Sequence, residues 1–564
     1  MRHSNQTHCK EREIVGKPDQ PLMFRSLSTI ALLGFILLTG CKEESSIDKA
    51  TRNGILIVGN NSEPQSFDPH IATSVADMHI INAVMEGLVR GDPKDDSIVH
   101  PGVALSWESS EQADEWTFHL RKDVVWSDGT PITSQDFAYA YQRLLHPKFG
   151  GRYSDMLYPL LNAEQFNKDK QAAFPWEQVG VSCPDSHTLV LKLRASMPQL
   201  PLLLLHPTWF PIPRHALEAH QGMLDRTGGW TRPGKAVGNG PFVMSEHRFN
   251  DYVEVAKNPL FHGAKSVALN AIRFLPTVNG FTETRMYFDG KIHVTNNVPP
   301  EMSDYAKRHA GDAYKQENYY TTIFYRLNTL KPPLNDPRVR QALTLSIDRE
   351  TLVRDVARGA GTPAYGFTPP GAGYETPQQL KFDPQRARRL LAKAGYPGGK
   401  GFPKVEIMTT SREVQKTMAE AIQAMWKQHL GIHIDIRSCE WTAYKFAQNT
   451  MQYDISSSSW SGDYLDPSTF IDLWASQSGN NNTGWASARF DAEIEKARHS
   501  GNVGNRMASL ASAETAMLEE SPVIPLYWAK RCYLQRPEVK GWHPLLLDNH
   551  IPEAIRLKKE ANHD

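Results

Sequence analysis

Short apolar runs closed by polar stretches rich in glycine and proline recur along the whole chain, alternating with segments whose apolar positions repeat every three to four residues. Gly54-Ile55-Leu56-Ile57-Val58, closed by Gly59-Asn60-Asn61-Ser62-Glu63-Pro64, predicts a strand and a loop. Trp116 to Arg121 alternates apolar and polar residues, as a half-buried strand does, and Trp126-Ser127-Asp128-Gly129-Thr130-Pro131 supplies the following turn. Thr133 then opens an apolar-periodic segment through Leu145. Asp136 stands where a capping box needs its acidic partner, so a helix starts there. The same reasoning predicts strands over 188–193 and 404–408, and helices over 336–357 and 384–394, the latter ended by Gly395. Interleaved helix and strand signals exclude a bundle or a sandwich and predict an α/β or mixed α+β protein. No repeat or low-complexity linker marks a boundary, as expected of a chain that crosses between domains more than once.

At roughly 150 residues per domain, 564 residues imply three or more structural units. Lys+Arg and Asp+Glu both number 62, so no net field draws the protein to nucleic acid. A hydrophobic content of 40% with 22% charged residues fits a packed protein and excludes a disordered one. The cysteines (Cys9, Cys41, Cys183, Cys439 and Cys532) are too scattered for a zinc ribbon or a CxxC redox motif. HExxH, GxSxG and a helix-opening GxGxxG are missing from the sequence, and Gly395 to Gly401 lacks Ser or Thr after Lys400 and follows a helix. The 21 histidines show no metal-ligand spacing. Asp463 and Asp466 are close in sequence, but spacing alone cannot set the separation that acid–base catalysis requires. The expectation is therefore no catalytic residue, no metal and no cofactor.

The one long apolar stretch, Leu27 to Leu38, is too short to span a bilayer core that needs about 20 residues. Arg25 before it and Leu38-Thr39-Gly40-Cys41 after it read as an export signal, and Leu-Thr-Gly-Cys resembles the lipobox of bacterial lipoproteins. Residues 1–40 are thus expected to be a signal peptide, with 1–22 unlike an n-region and Met23 an alternative start. Cys41 is expected to carry lipid at the head of a tether over 41–46. Lys42 after it lacks the aspartate of inner-membrane retention, which leaves the membrane open.

The string WTFHLRKDVVWSDGTPITSQDF from Trp116 to Phe137, preceded by Gly102-Val103-Ala104-Leu105-Ser106-Trp107, resembles the signature of the periplasmic oligopeptide and dipeptide carriers of ABC importers, the family 5 extracellular solute-binding proteins. The resemblance continues in Asn239-Gly240-Pro241-Phe242, Asn335 to Leu343, Asp348-Arg349, Ala364 to Pro370 and Asp463-Tyr464. It implies a two-lobed, type II periplasmic-binding-protein fold of α/β class that closes on its ligand, with an extra domain inserted in lobe I. Lobe I would hold 47–86, 209–320 and 534–564, the inserted domain 87–208, and lobe II 321–533. It further implies a monomeric carrier that holds a peptide as an added strand and hands it to an inner-membrane ABC permease.

By the same resemblance Asp463 matches the residue that binds the peptide's α-ammonium. Trp460 and Trp441 match walls of side-chain pockets, Tyr153 a ring reaching in from the inserted domain, and Asn296 a polar group on lobe I. Departures appear at the ligand's far end, where Ser457, Ala357, Gln415 and Asn449 stand at positions the family uses for a peptide carboxylate. Arg412, in Thr409-Thr410-Ser411-Arg412-Glu413, is the substitute cation. Thr321 and Ser461 replace a cysteine pair of close relatives, and a Cys439–Cys532 bridge within lobe II is left open. Murein peptide, haem or a nickel chelate are rival ligands within the family. A periplasmic peptidase is the rival from another class.

Overall fold

The computed structural model describes residues 45–558, the side chain at 442 excepted. Three main sheets organise them. One has four strands in the order Ile55–Gly59, Ala271–Leu275, Tyr252–Lys257, Phe242–Arg248, the first pair parallel and the rest antiparallel. The second is an antiparallel four-stranded sheet made within the intervening stretch: Ala104–Ser109, Glu115–Leu120, Thr188–Lys192, Val181–Asp185. These two share one core, in which Leu56, Val255 and Ile272 join Phe118, Trp126 and Leu189. The third sheet has six strands in the order Gly361–Pro363, Val523–Leu534, Tyr314–Leu327, Ile455–Ser461, Glu406–Thr410, Asp435–Cys439. Its core is separate, built on Leu343, Ile407, Ile422, Trp426, Ile455 and Ile524.

Two long strands, Tyr314–Leu327 and Val523–Leu534, pass from one core to the other. Tyr325 and Ile524 pack in the six-stranded sheet's core, whereas Cys532 and Leu534 pack with Ile47, Ile57 and Tyr287 beside the first sheet. Their pairing slips between Asn318 and Thr322, where the chain passes from one body to the other.

Local signals explain much of this. Thr133 caps the helix Ser134–Leu145 in a capping box with Asp136, and Gly395, at φ +100°, follows the helix Pro384–Lys393. The strand expected over 404–408 lies at Glu406–Thr410. The helix expected over 336–357 is interrupted. Pro337–Leu345 ends where Ser346 Oγ turns back to the Leu343 carbonyl at 3.0 Å, and Asp348 caps a new start at Arg349–Thr351. Arg349 holds the break by donating to the carbonyls of Thr344, Leu380 and Pro525, ties that no local pattern encodes.

The open cysteine question has a clear answer: Cys183, Cys439 and Cys532 are all free. Cys439 ends the edge strand Asp435–Cys439, and three strands separate it from the strand bearing Cys532. Cys41 lies outside the described residues. Among the described residues no helix is long and apolar enough to cross a membrane.

Candidate functional site

In the six-stranded sheet the strands Asp435–Cys439, Glu406–Thr410 and Ile455–Ser461 run parallel, with Thr410 beside Cys439 and Met408 beside Ser456. Their carboxyl ends therefore share one edge, the place where open α/β sheets bind ligands. Trp441, Arg412 and Asp463 each follow one of these three ends, so the topology gathers three residues that are distant in sequence. Arg412 is exposed, and among the described residues its guanidinium has no hydrogen-bond or ion-pair partner. Trp441 is 58% exposed and stacks on Tyr444 with ring centroids 5.8 Å apart.

Asp463 is positioned by its backbone. Thr321 Oγ1 and Ser461 Oγ meet at 2.7 Å across the strand pair. Gly462 donates its N–H to the Tyr320 carbonyl at 2.8 Å. A Cβ there would stand 2.4 Å from Tyr320 Cδ1, so only glycine lets the turn lie against that ring. Asp463 N–H donates to Thr469 Oγ1 at 3.1 Å, and three residues on, Asp466 is locked in a buried bidentate pair with Arg506 at 2.8 and 2.7 Å. The Asp463 carboxylate itself accepts no hydrogen bond from the described residues. Part of its surface stays open while protein encloses the rest; this burial, and secondarily the charge of Asp155, pushes its pKa up to about 7.

Tyr153 comes to the same place from the 87–208 stretch. It precedes the turn Ser154–Leu157, and its ring lies 5.3 Å from that of His206. Burial raises its phenol, and the charges of Asp463 and then Asp155 raise it further, so all three groups share one electrostatic neighbourhood. Asp155 is exposed by area, yet the surrounding protein still raises its carboxyl. It belongs to no motif, and only its place two residues after Tyr153 could have flagged it. Trp460 packs on the aromatic cluster of Tyr320, Phe324 and Trp474, its Nε1 buried with no acceptor among the described residues. Among the described residues the structure gives Asn296 no contact with this group; its backbone carbonyl accepts from Arg531 Nε at 3.2 Å. Gln415 and Ser457 are tied into a neutral network: Gln415 Oε1 accepts from Thr410 N–H at 3.1 Å, Thr410 Oγ1 at 2.7 Å and Ser457 Oγ at 3.3 Å.

The family model described as "Bacterial extracellular solute-binding proteins, family 5 Middle" matches residues 99–482. This chain belongs to that family. It is 31% identical over 497 residues to the periplasmic oligopeptide-binding protein OppA of Escherichia coli K12, covering 86% of this chain and 89% of the relative. The solved murein tripeptide-binding protein MppA of Escherichia coli superimposes with a TM-score of 0.79 at 30% identity, covering 90% of this chain and 99% of that one. Haemophilus influenzae OppA, solved with the peptide RPPGFSPFR, gives 0.78 at 28% identity over 90% of this chain and 99% of that one. The two cores and crossing strands are thus those of a two-lobed, type II periplasmic-binding fold. The family-typical segment Phe367-Thr368 is pinned by the buried Glu514, whose Oε1 accepts from both backbone N–H groups at 2.7 and 3.1 Å.

Proposed function

We propose that this chain is an extracytoplasmic substrate-binding protein that captures peptides between its lobes and delivers them to an ABC permease, making and breaking no covalent bond. The observation that carries this reading is the Asp463 carboxylate: half-enclosed, at the carboxyl edge of a sheet, and without a cation among the described residues. A peptide's α-ammonium supplies the missing charge. Tyr153, Trp460 and Trp441 wall the ligand, Asn296 contributes a polar contact from lobe I, and Arg412 is a cation free to meet a carboxylate. The names of the relatives support this reading, since OppA is called oligopeptide-binding and MppA murein peptide-binding. The proposed domain boundaries are 47–86, 209–320 and 534–564 for lobe I, 87–208 for the insertion and 321–533 for lobe II. Cys41 is proposed to anchor the monomer to a membrane through lipid, with the periplasm as its compartment.

Calorimetry with a free and an N-acetylated peptide tests the reading. Acetylation or Asp463→Ala leaves one charge buried without its partner, which typically costs about 3–5 kcal/mol, or two to four decades of affinity. Equal affinity for the two peptides overturns the role of Asp463.

A further inference from the structure

Arg326 lies in the crossing strand Tyr314–Leu327 and is only 4% exposed. Its Nη1 donates to the carbonyls of Asn480 and Asn481 at 2.8 and 2.6 Å, and its Nε to Ser458 Oγ at 3.3 Å. Lys445, on the helix Trp441–Asn449, donates from Nζ to Gln448 Oε1 at 3.1 Å and sits 5.8 Å from the centroid of the Trp441 ring. Gln448 Nε2 in turn reaches Ser456 Oγ at 3.2 Å, and Ser456 pairs directly opposite Arg326 in the sheet. Both cations therefore stand over the same sheet face, and among the described residues neither has a carboxylate partner.

That is an unfavourable arrangement in the absence of ligand. Burial, and then Arg326, lowers the Lys445 ammonium; burial lowers Arg326 as well. The buried guanidinium of Arg143 is matched by Asp68 and that of Arg506 by Asp466, whereas Arg340 and Arg349 are held by backbone carbonyls alone. What sets Arg326 apart is a second cation, Lys445, whose titration it is close enough to depress. Two residues beyond Ser458 on the same strand face, Trp460 presents a buried donor, its Nε1, that has no acceptor among the described residues. Lys445 keeps part of its surface in solvent, and the Trp441 ring beside it is exposed.

We propose that Lys445 and Arg326, with Trp460 Nε1 beside them, form an anion subsite that takes a carboxylate of the bound ligand. This rests on the reading that the ligand is a peptide held at Asp463. Because Ser458 lies five positions before Asp463 and an extended chain advances ~3.3 Å per residue, the carboxylate falls within about five residues of the ligand's amine. It belongs either to an acidic side chain or to the peptide's C-terminus, two sources of one chemistry.

Calorimetry on the full chain separates them. The probes are alanine tetrapeptides with glutamate or glutamine walked through positions two to four, each as free acid and as amide. An acidic-side-chain site favours glutamate over glutamine in both forms; a C-terminal site favours acid over amide whatever the side chain. In either case Lys445→Met weakens the carboxylate-bearing peptides by roughly tenfold or more, as loss of a charge-assisted hydrogen bond implies, and leaves the uncharged ones little changed. Lys445→Glu reverses the preference. Since Arg326→Gln also releases the Asn480 and Asn481 carbonyls, the Lys445 variants carry the decision. Peptides that bind wild type and Lys445→Met with the same discrimination overturn the subsite. Failure of wild type to bind any of these peptides overturns the peptide reading itself, and the subsite with it.

Discussion

Lowering the pH of the binding reaction should weaken the ligand's hold at Asp463 long before the fold is affected. With its carboxyl raised to about 7, the unliganded protein at pH 5 carries the anion in about one molecule per hundred. Peptide ammonium binds only that form, so affinity falls about 50-fold, or ~2.3 kcal/mol, between pH 7 and 5, approaching tenfold per pH unit well below 7. The upper edge is set by the ligand, whose α-amino group loses its charge near pH ~8. Binding must release protons, about half a proton per ligand at pH 7 and close to one at pH 5.5. Titration calorimetry in buffers of different ionisation enthalpy counts them directly. Asp155→Asn removes the second cause of the raised pKa and moves the midpoint down. The sign for folding is opposite: between about pH 4 and 7 the folded, unliganded protein binds more protons at Asp463 than the unfolded chain does, so this group alone favours the unliganded fold as pH falls. Affinity that stays flat from pH 5 to 8, or binding without proton release, refutes the electrostatic account of the site.

Other perturbations separate scaffold from contact. Gly462→Ala should force the turn off the Tyr320 ring, costing about 1–3 kcal/mol in thermal unfolding, with peptide affinity falling in parallel; unchanged affinity would show that the turn does not position Asp463. Asp68→Ala leaves Arg143 buried without its counter-charge and should destabilise by about 3–5 kcal/mol, read as a lower denaturant midpoint, while any protein that folds still binds peptide. Arg412→Ala should weaken free-acid peptides by roughly 2 kcal/mol and spare amidated ones if this exposed guanidinium meets the C-terminus; equal effects on both return it to the surface. Cys41→Ser should release soluble protein or block processing, and unchanged membrane fractionation excludes the lipid anchor.

The chain announced its local structure well and its long-range ties poorly. Thr133 and Asp136 lie within one helical turn, so their capping box could be read directly, as could the strands around Leu56 and Trp116. The break after Leu345 could not, because Arg349 secures it through carbonyls of Leu380 and Pro525 far along the chain. The site follows the same division. Asp463, Trp460, Trp441, Tyr153, Asn296 and Arg412 are singled out as candidates because motifs surround them or align with them, and the sheet brings the ends bearing Asp463, Arg412 and Trp441 to one edge. Asp155 carries no motif, and its relation to Asp463 arises from folding the 87–208 stretch against the six-stranded sheet. Arg326 and Lys445 are separated by more than a hundred residues, and only the pairing of Arg326 with Ser456 reveals that they share a face. Charge counts were no help, because the feature is the absence of a partner rather than an excess of one sign.

Native mass spectrometry of the protein purified from the cells that make it tests the central claim most directly, because it reads the cargo without assuming its chemistry. The account predicts a bound population that fragments as peptides with free amino termini, and that is lost in Asp463→Ala. A single haem or metal-chelate mass, or a ligand retained unchanged in Asp463→Ala, contradicts it.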